Sequence, residues 1–247
     1  MLYLLAGAAL AGCGNVERGS ADRFTTSGEL LAVSGGDAGA PNACITCHGV
    51  DGRGNGAGAP RLAGLDRGYM VAQLEAYSSG RRRHPEMEWI ARKLSPAEHD
   101  AVSAYYAEMP YHALPRTERG TASARALYHR GDPARGLAAC ASCHGAQGEG
   151  VGAANPPLGG QPSAYLSHQL EQWRQSARRN DPEGAMQRIS RALSPRESAA
   201  LAAYASSLPG DPAHRGSPAT SREAHRADPR NGASAPLRRA EGSPPAK

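Results

Sequence analysis

Cys44-Ile45-Thr46-Cys47-His48-Gly49 and, 96 residues later, Cys140-Ala141-Ser142-Cys143-His144-Gly145 decide how this chain of 247 residues is read. Two thiols three positions apart on a helical turn can form thioethers with the two vinyl groups of one haem, and the adjacent imidazole becomes the proximal iron ligand. The recurrence predicts two covalently bound haem c groups, one on Cys44, Cys47 and His48 and one on Cys140, Cys143 and His144. Other uses of cysteine fit less well. A zinc ribbon sets its two pairs roughly 15–20 residues apart and gives no reason for a His after each pair. A thioredoxin-like site needs one pair in strand-rich surroundings. Five cysteines in a chain this long are too few for a disulfide framework.

The surroundings of the motifs repeat as well, which tests the reading independently of cysteine. At an offset of 96, Leu31 matches Leu127, Gly35 matches Gly131, Leu62 matches Leu158, Gly64 matches Gly160, Tyr69 matches Tyr165, and Gln73-Leu74 matches Gln169-Leu170. Farther on the offset is 99: Met87 matches Met186, Leu94-Ser95-Pro96 matches Leu193-Ser194-Pro195, Ala104-Tyr105 matches Ala203-Tyr204, and Pro110 matches Pro209. A three-residue insertion between Trp173 and Met186 reconciles the two registers. The chain reads as two copies of one domain of about 85 residues.

This register also selects the second iron ligand. Met70 faces Leu166 and Met109 faces Leu208 in the other copy, so both are replaceable by leucine and read as core. Met87 and Met186 face each other, 39 and 42 residues after His48 and His144, and are the expected axial ligands. His84 is the rival in the first copy, but the corresponding stretch 179–183 holds no histidine. His99, His112, His129, His168, His214 and His225 have no partner in the repeat and are expected at the surface.

Local signals point to helices. Ser95-Pro96-Ala97-Glu98 and Ser194-Pro195-Arg196-Glu197 have the form of capping boxes, with Ser at the cap, Pro at the first helical position and Glu reaching back. Apolar residues follow at helical spacing, Val102, Tyr105, Tyr106 and Met109 in one copy and Leu201, Tyr204, Ala205 and Leu208 in the other, until Pro110 and Pro209 stop them. Tyr69, Met70, Gln73, Leu74 and Tyr77 predict a middle helix, with Tyr165, Leu166, Gln169, Leu170 and Trp173 as its equivalent. The glycine-rich stretches Gly49 to Gly58 and Gly145 to Gly152 read as loops without a phosphate-binding fingerprint. With one Phe, two Trp and nine Tyr, domains this small have little side-chain volume for a core, so haem is expected to supply it.

The two Cys-x-x-Cys-His-Gly sites, the Pro60-Arg61-Leu62-Ala63-Gly64 and Pro156-Pro157-Leu158-Gly159-Gly160 segments, the Tyr-x-x-x-Gln-Leu helices and the two Met-x6-Leu-Ser-Pro segments together resemble cytochrome c4, over about residues 28 to 209. The resemblance implies an all-α fold of two tandem class I cytochrome c domains, each wrapped around one covalent haem c. It implies residues 28–110 as domain 1, 111–123 as a linker and 124–209 as domain 2. By the same resemblance, the backbone carbonyls of Pro60 and Pro156 receive the Nδ1–H of His48 and His144, and Arg82 and Arg179 meet haem propionates or stand as ordinary solvated charges.

Histidine and methionine together fill both axial positions, which leaves no iron site for a substrate and favours ferrous iron. The expected role is therefore a periplasmic electron carrier of a respiratory chain, passing electrons from a membrane donor to a partner such as a terminal oxidase, and not an enzyme. The alternatives are a cytochrome subunit bound to a dehydrogenase or oxidase and, further off, a dihaem peroxidase, which would need one open iron.

Residues 1–12 are apolar but too short to span a bilayer, and so resemble the hydrophobic part of a secretory signal, although no Lys or Arg precedes them. Leu10-Ala11-Gly12-Cys13 resembles a bacterial lipoprotein cleavage box, which makes Cys13 a lipidation site and the protein a membrane-anchored periplasmic lipoprotein. The alternative is a cysteine in a discarded or uncleaved signal. Residues 14–27 read as a flexible tether, and 210–247 as a disordered, basic, Pro/Ala/Arg-rich tail with seven basic residues against four acids. Such a tail could draw anionic lipid or an acidic partner, or serve as a soluble extension. A net charge of +5 is modest, and nucleic acid is no partner for an exported haem protein.

Overall fold

The computed structural model describes residues 27–56, 58–111 and 120–211. The signal, Cys13, most of the tether, His112 and most of the linker, His214, His225 and nearly all of the tail lie outside the described residues. Every regular element within them is helical, joined by turns and by isolated bridges.

The first domain runs α1 (Gly28–Ser34), α2 (Cys44–His48), α3 (Arg67–Ser78), α4 (Pro85–Lys93) and α5 (Pro96–Glu108). The second repeats it as α6 (Ala122–Arg130), α7 (Ala141–His144), α8 (Ser163–Arg174), α9 (Ala185–Ala192) and α10 (Pro195–Ser206). In domain 1, α3 packs against α4 and α5, and α1 crosses α5. Domain 2 does the same with α8, α9, α10 and α6. Both expected capping boxes form, Ser95 with Glu98 and Ser194 with Glu197, and set the start of the last helix of each domain.

The cores are small, as the scarcity of aromatic residues implied. Leu65, Tyr69, Met70, Val102 and Tyr106 surround Ala32 in domain 1, while Tyr128, Leu137, Leu166, Leu193 and Leu201 surround Ala205 in domain 2. One substitution pair is crossed between the copies. In domain 1 the first helix supplies Ala32 and the last helix Tyr106, whereas in domain 2 the first helix supplies Tyr128 and the last Ala205. One fully buried aromatic ring lies at each helix crossing, delivered from opposite sides.

Two expectations about histidine need correction. His99 is buried, not on the surface, with Nε2 donating to the Ala91 carbonyl at 2.9 Å and so tying α5 to α4. His129 is half-buried and pairs with the Tyr204 hydroxyl at 2.7 Å, joining α6 to α10.

Candidate functional site

Each Cys-x-x-Cys-His motif forms a single helical turn, α2 in one domain and α7 with Cys140 at its cap in the other. Gly49 and Gly145, at φ +79° and +82°, then turn the chain in a conformation that L side chains rarely adopt. The imidazole is thereby buried while the cysteines stay accessible: Cys44 and Cys140 are half-buried, Cys47 and Cys143 exposed. All four thiols are free, the state that addition to vinyl groups requires. Burial pushes the Cys44 and Cys140 thiols up to about 11, so in the absence of haem they are neutral.

His48 Nδ1 donates to the Pro60 carbonyl and His144 Nδ1 to the Pro156 carbonyl, both at 2.8 Å. Burial holds both imidazoles below the usual histidine value, and the proline carbonyls only partly offset it. Each ring is therefore neutral, with Nδ1 engaged and Nε2 the nitrogen left for iron.

The loops after each motif, which the sequence presents only as glycine-rich, build this contact. Gly54 N donates to the His48 carbonyl at 2.8 Å and Gly150 N to the His144 carbonyl at 2.9 Å. Gly52 O receives Leu62 N and Ala63 N, and Gly148 O receives Leu158 N and Gly159 N, so the proline segment is drawn alongside. A Cβ on Gly54 would stand 2.9 Å from the Pro60 carbonyl oxygen, and one on Gly150 would stand 2.9 Å from the Pro156 carbonyl carbon. Only glycine admits the carbonyl that the imidazole needs.

Met87 and Met186 lie near the starts of α4 and α9, both half-buried. The same helix is capped differently in each domain. His84 Nδ1 accepts the Met87 N–H at 3.4 Å, whereas Asp181 Oδ2 accepts the Met186 and Gln187 N–H groups at 2.6 and 3.2 Å. His84, the rival ligand, thus occupies the position of a helix cap.

The arginines require a correction. Arg82 faces Arg178, not Arg179, in an antiparallel bridge between the domains, with Arg83 N to Ala177 O at 3.0 Å and Arg179 N to Arg81 O at 2.8 Å. The offset of 96 therefore persists through Arg178, and the insertion follows it. Arg82 and Arg178 are only 4% and 6% exposed, whereas the Arg179 side chain points to solvent. Gln73 Oε1 accepts from Arg82 Nη1 and Arg178 Nη2, both at 2.9 Å, and Gln169 Oε1 accepts from Arg82 Nη2 and Arg178 Nη1, both at 2.8 Å. Arg82 also reaches the Tyr165 hydroxyl at 2.8 Å and Arg178 the Tyr69 hydroxyl at 3.3 Å. Each guanidinium lies over an aromatic ring of its own domain, Tyr77 at 4.5 Å and Trp173 at 4.4 Å. Burial would raise the Tyr69 phenol, yet the charges of Arg178 and Arg82 hold it below the ordinary tyrosine value.

Among the described residues neither arginine has a carboxylate partner. Two unit charges about 4–6 Å apart repel by roughly 3–4 kcal/mol at an effective dielectric constant of about 20. Cation–π stacking returns about 0.5–2 kcal/mol per pair. A buried cation pair calls for an anion, and haem carries carboxylates. The free thiols, the oriented neutral imidazoles and this charge together fit two haem c groups.

A second link joins the domains. Arg61, next to Pro60 and 1% exposed, donates its backbone N–H to Gln161 Oε1 at 3.0 Å and Nη2 to the Gly159 carbonyl at 3.1 Å, while Gln161 Nε2 returns a bond to the Arg61 carbonyl at 2.9 Å. Its counterpart in the repeat is Pro157, so this link has no mirror image.

The family model for cytochrome c matches residues 35–110 and again 130–209. A protein of Stutzerimonas stutzeri named thiosulfate dehydrogenase electron acceptor is 45% identical over 181 residues, which cover 72% of this chain and 84% of that one. Cytochrome c4 of Pseudomonas aeruginosa is 34% identical over 184 residues, 72% of this chain and 92% of that one. Among solved structures, the thiosulfate dehydrogenase TsdBA of Marichromatium purpuratum superposes with a TM-score of 0.68 at 41% identity. That match covers 76% of this chain but 40% of the larger one.

Proposed function

We propose that this chain, which belongs to the cytochrome c family and carries two of its domains, accepts electrons from a periplasmic dehydrogenase that oxidises thiosulfate. The coarser statement needs no proposal: it is a dihaem electron carrier related to cytochrome c4, and it is not an enzyme. The observation that carries the finer reading is the 45% identity, over most of both chains, to a protein named as a thiosulfate dehydrogenase electron acceptor. Of the roles expected above, this favours the dehydrogenase partner over the carrier to a terminal oxidase. Among the described residues no helix is long and apolar enough to cross a membrane. Periplasmic residence and a lipid on Cys13 remain part of the proposal.

Haem iron, when bound, takes up and releases one electron at a time, so two haems match a dehydrogenase that removes two electrons. The chain supplies the rest. Cys44, Cys47, Cys140 and Cys143 hold the groups covalently, and His48 and His144, neutral and oriented by Pro60 and Pro156, offer Nε2 to the irons. Met87 and Met186 would supply the second ligand to each iron, which would exclude small ligands and keep the site to electron transfer.

The test is reduction of the purified dihaem protein by a thiosulfate dehydrogenase supplied with thiosulfate, followed by visible absorption. Both haems are expected to become reduced, at a rate that rises with dehydrogenase concentration. A protein that stays oxidised, although dithionite reduces it fully, would overturn the assignment of donor.

A further inference from the structure

The contacts of Arg82 and Arg178 cross between the domains as fully as they stay within them. Arg82 divides its donors between Gln73 of its own domain and Tyr165 and Gln169 of the other, and Arg178 divides its own between Gln169 and the pair Tyr69 and Gln73. Two amide oxygens are each held by both guanidinium groups, so neither cation can move without releasing an acceptor that the other uses. Asn180 Nδ2 adds a third donor to Gln73 Oε1 at 2.8 Å, and Asn180 Oδ1 receives Arg178 Nε at 3.0 Å. The cluster has a pseudo-twofold arrangement about the one backbone bridge between the domains: arginine, glutamine, tyrosine and stacking ring each occur once per domain.

We propose that Arg82 and Arg178 act as one shared cationic element that sets the reduction potentials of both haems together, neither arginine serving its own domain alone. Buried positive charge stabilises the reduced, less positive iron and raises its potential, and low local polarity extends that influence. Charge held by acceptors from both domains acts on both irons. Gln73, Gln169, Tyr69 and Tyr165 are the positioning residues, because they fix where the two guanidinium groups stand. The two domains are thus tuned as a unit, which suits a carrier that takes two electrons from one donor.

The experiment is a spectroscopic redox titration of the purified dihaem protein, with each midpoint assigned to its domain by the paramagnetically shifted NMR signals of the haem and ligand side chains. No dehydrogenase is present, so the outcome does not depend on the donor proposed above. Arg82→Gln is expected to lower both midpoints, and Arg178→Gln to do the same from the other side. A fall confined to the domain that bears the substitution, or no fall, overturns the proposal. Arg82→Lys covers the case in which the glutamine variants do not assemble. It keeps a charge in domain 1 but not the fork that reaches Tyr165 and Gln169, so the domain 2 midpoint is expected to fall while that of domain 1 holds. An unchanged domain 2 midpoint in Arg82→Lys equally overturns it.

Discussion

At the scale of the residue, the imidazoles of His48 and His144 show how little freedom the proposed iron ligands have. Each is buried, neutral and pinned at Nδ1 by a proline carbonyl, and each proline segment is admitted by a glycine at positive φ. Gly54→Ala is therefore expected to act on haem 1 without touching it. The added methyl meets the Pro60 carbonyl, the alanine must hold φ near +79°, and domain 1 should lose at least about 1 kcal/mol in denaturant unfolding. The haem 1 midpoint should shift as the Pro60 contact loosens, while that of haem 2 should not. Met87→Ala and Met186→Ala test the opposite face. Each is expected to lower the midpoint of its own haem, remove the sulfur-to-iron absorption at the red end of the spectrum, and let carbon monoxide bind the reduced protein, which the parent protein should resist. If carbon monoxide binds the parent rapidly, the closed-site reading is wrong. The repeat alone singles out these methionines, since a ligand must recur where a core methionine can become Leu166 or Leu208. Arg178 was not legible. The adjacent Arg179 offers the same letter, and only burial tells the two apart.

At the scale of the element, the last helix of each domain is the part most plainly written in the chain. Ser95 and Ser194 receive the N–H of Glu98 and Glu197, and the glutamates return the bond. Ser194→Ala should cost ~1 kcal/mol of stability, read as a lowered midpoint in chemical denaturation. Hydrogen bonds from Arg135, then those from Ser194, hold the Glu197 carboxyl at about 2, well under the ordinary glutamate value of 4.5. Because the folded value is the lower one, the contribution of this group is complete above pH 4.5 and is lost as the pH falls toward 2. The stability difference between the parent and Glu197→Gln should shrink over that window. A difference that is independent of pH would show that the box does not gain from the charge. The helices that carry Met87 and Met186 were harder to read, because their caps are unlike: an imidazole in one, a carboxylate in the other. The crossed pair of Ala32 with Tyr106 and Tyr128 with Ala205 was hidden for a related reason. A repeat aligned position by position shows two mismatches, while packing shows one fully buried ring per crossing.

At the scale of the whole molecule, the two domains share buried polar links that neither could satisfy alone. Arg61 lies 1% exposed between Gln161 and Gly159, and the arginine pair shares Gln73 and Gln169. Separating the domains would break the bonds that cross between them and hand those groups to water, a net loss of about 0.5–1.5 kcal/mol for each neutral hydrogen bond and more for one made by a charged group. Calorimetry of the dihaem protein is therefore expected to show one cooperative transition. Two well-separated transitions would mean that the links are weak in solution.

What the sequence determined by itself was local or recurrent: two haem attachment sites, a duplicated helical domain, the capped last helices and a candidate histidine and methionine for each iron. Attachment chemistry demands a fixed spacing, and duplication writes that demand twice. What the tertiary structure decided was everything that depends on which residues meet across the duplication. The proline carbonyls, 12 residues beyond their imidazoles, reach them because Gly54 and Gly150 allow close approach, a fact of backbone conformation and not of composition. Arg178 in place of Arg179, Arg61 against Gln161, and the interior place of His99 follow from burial, which no single position in the chain encodes. Two copies of one domain are joined at their buried arginines, because each copy supplies acceptors to the other's cation.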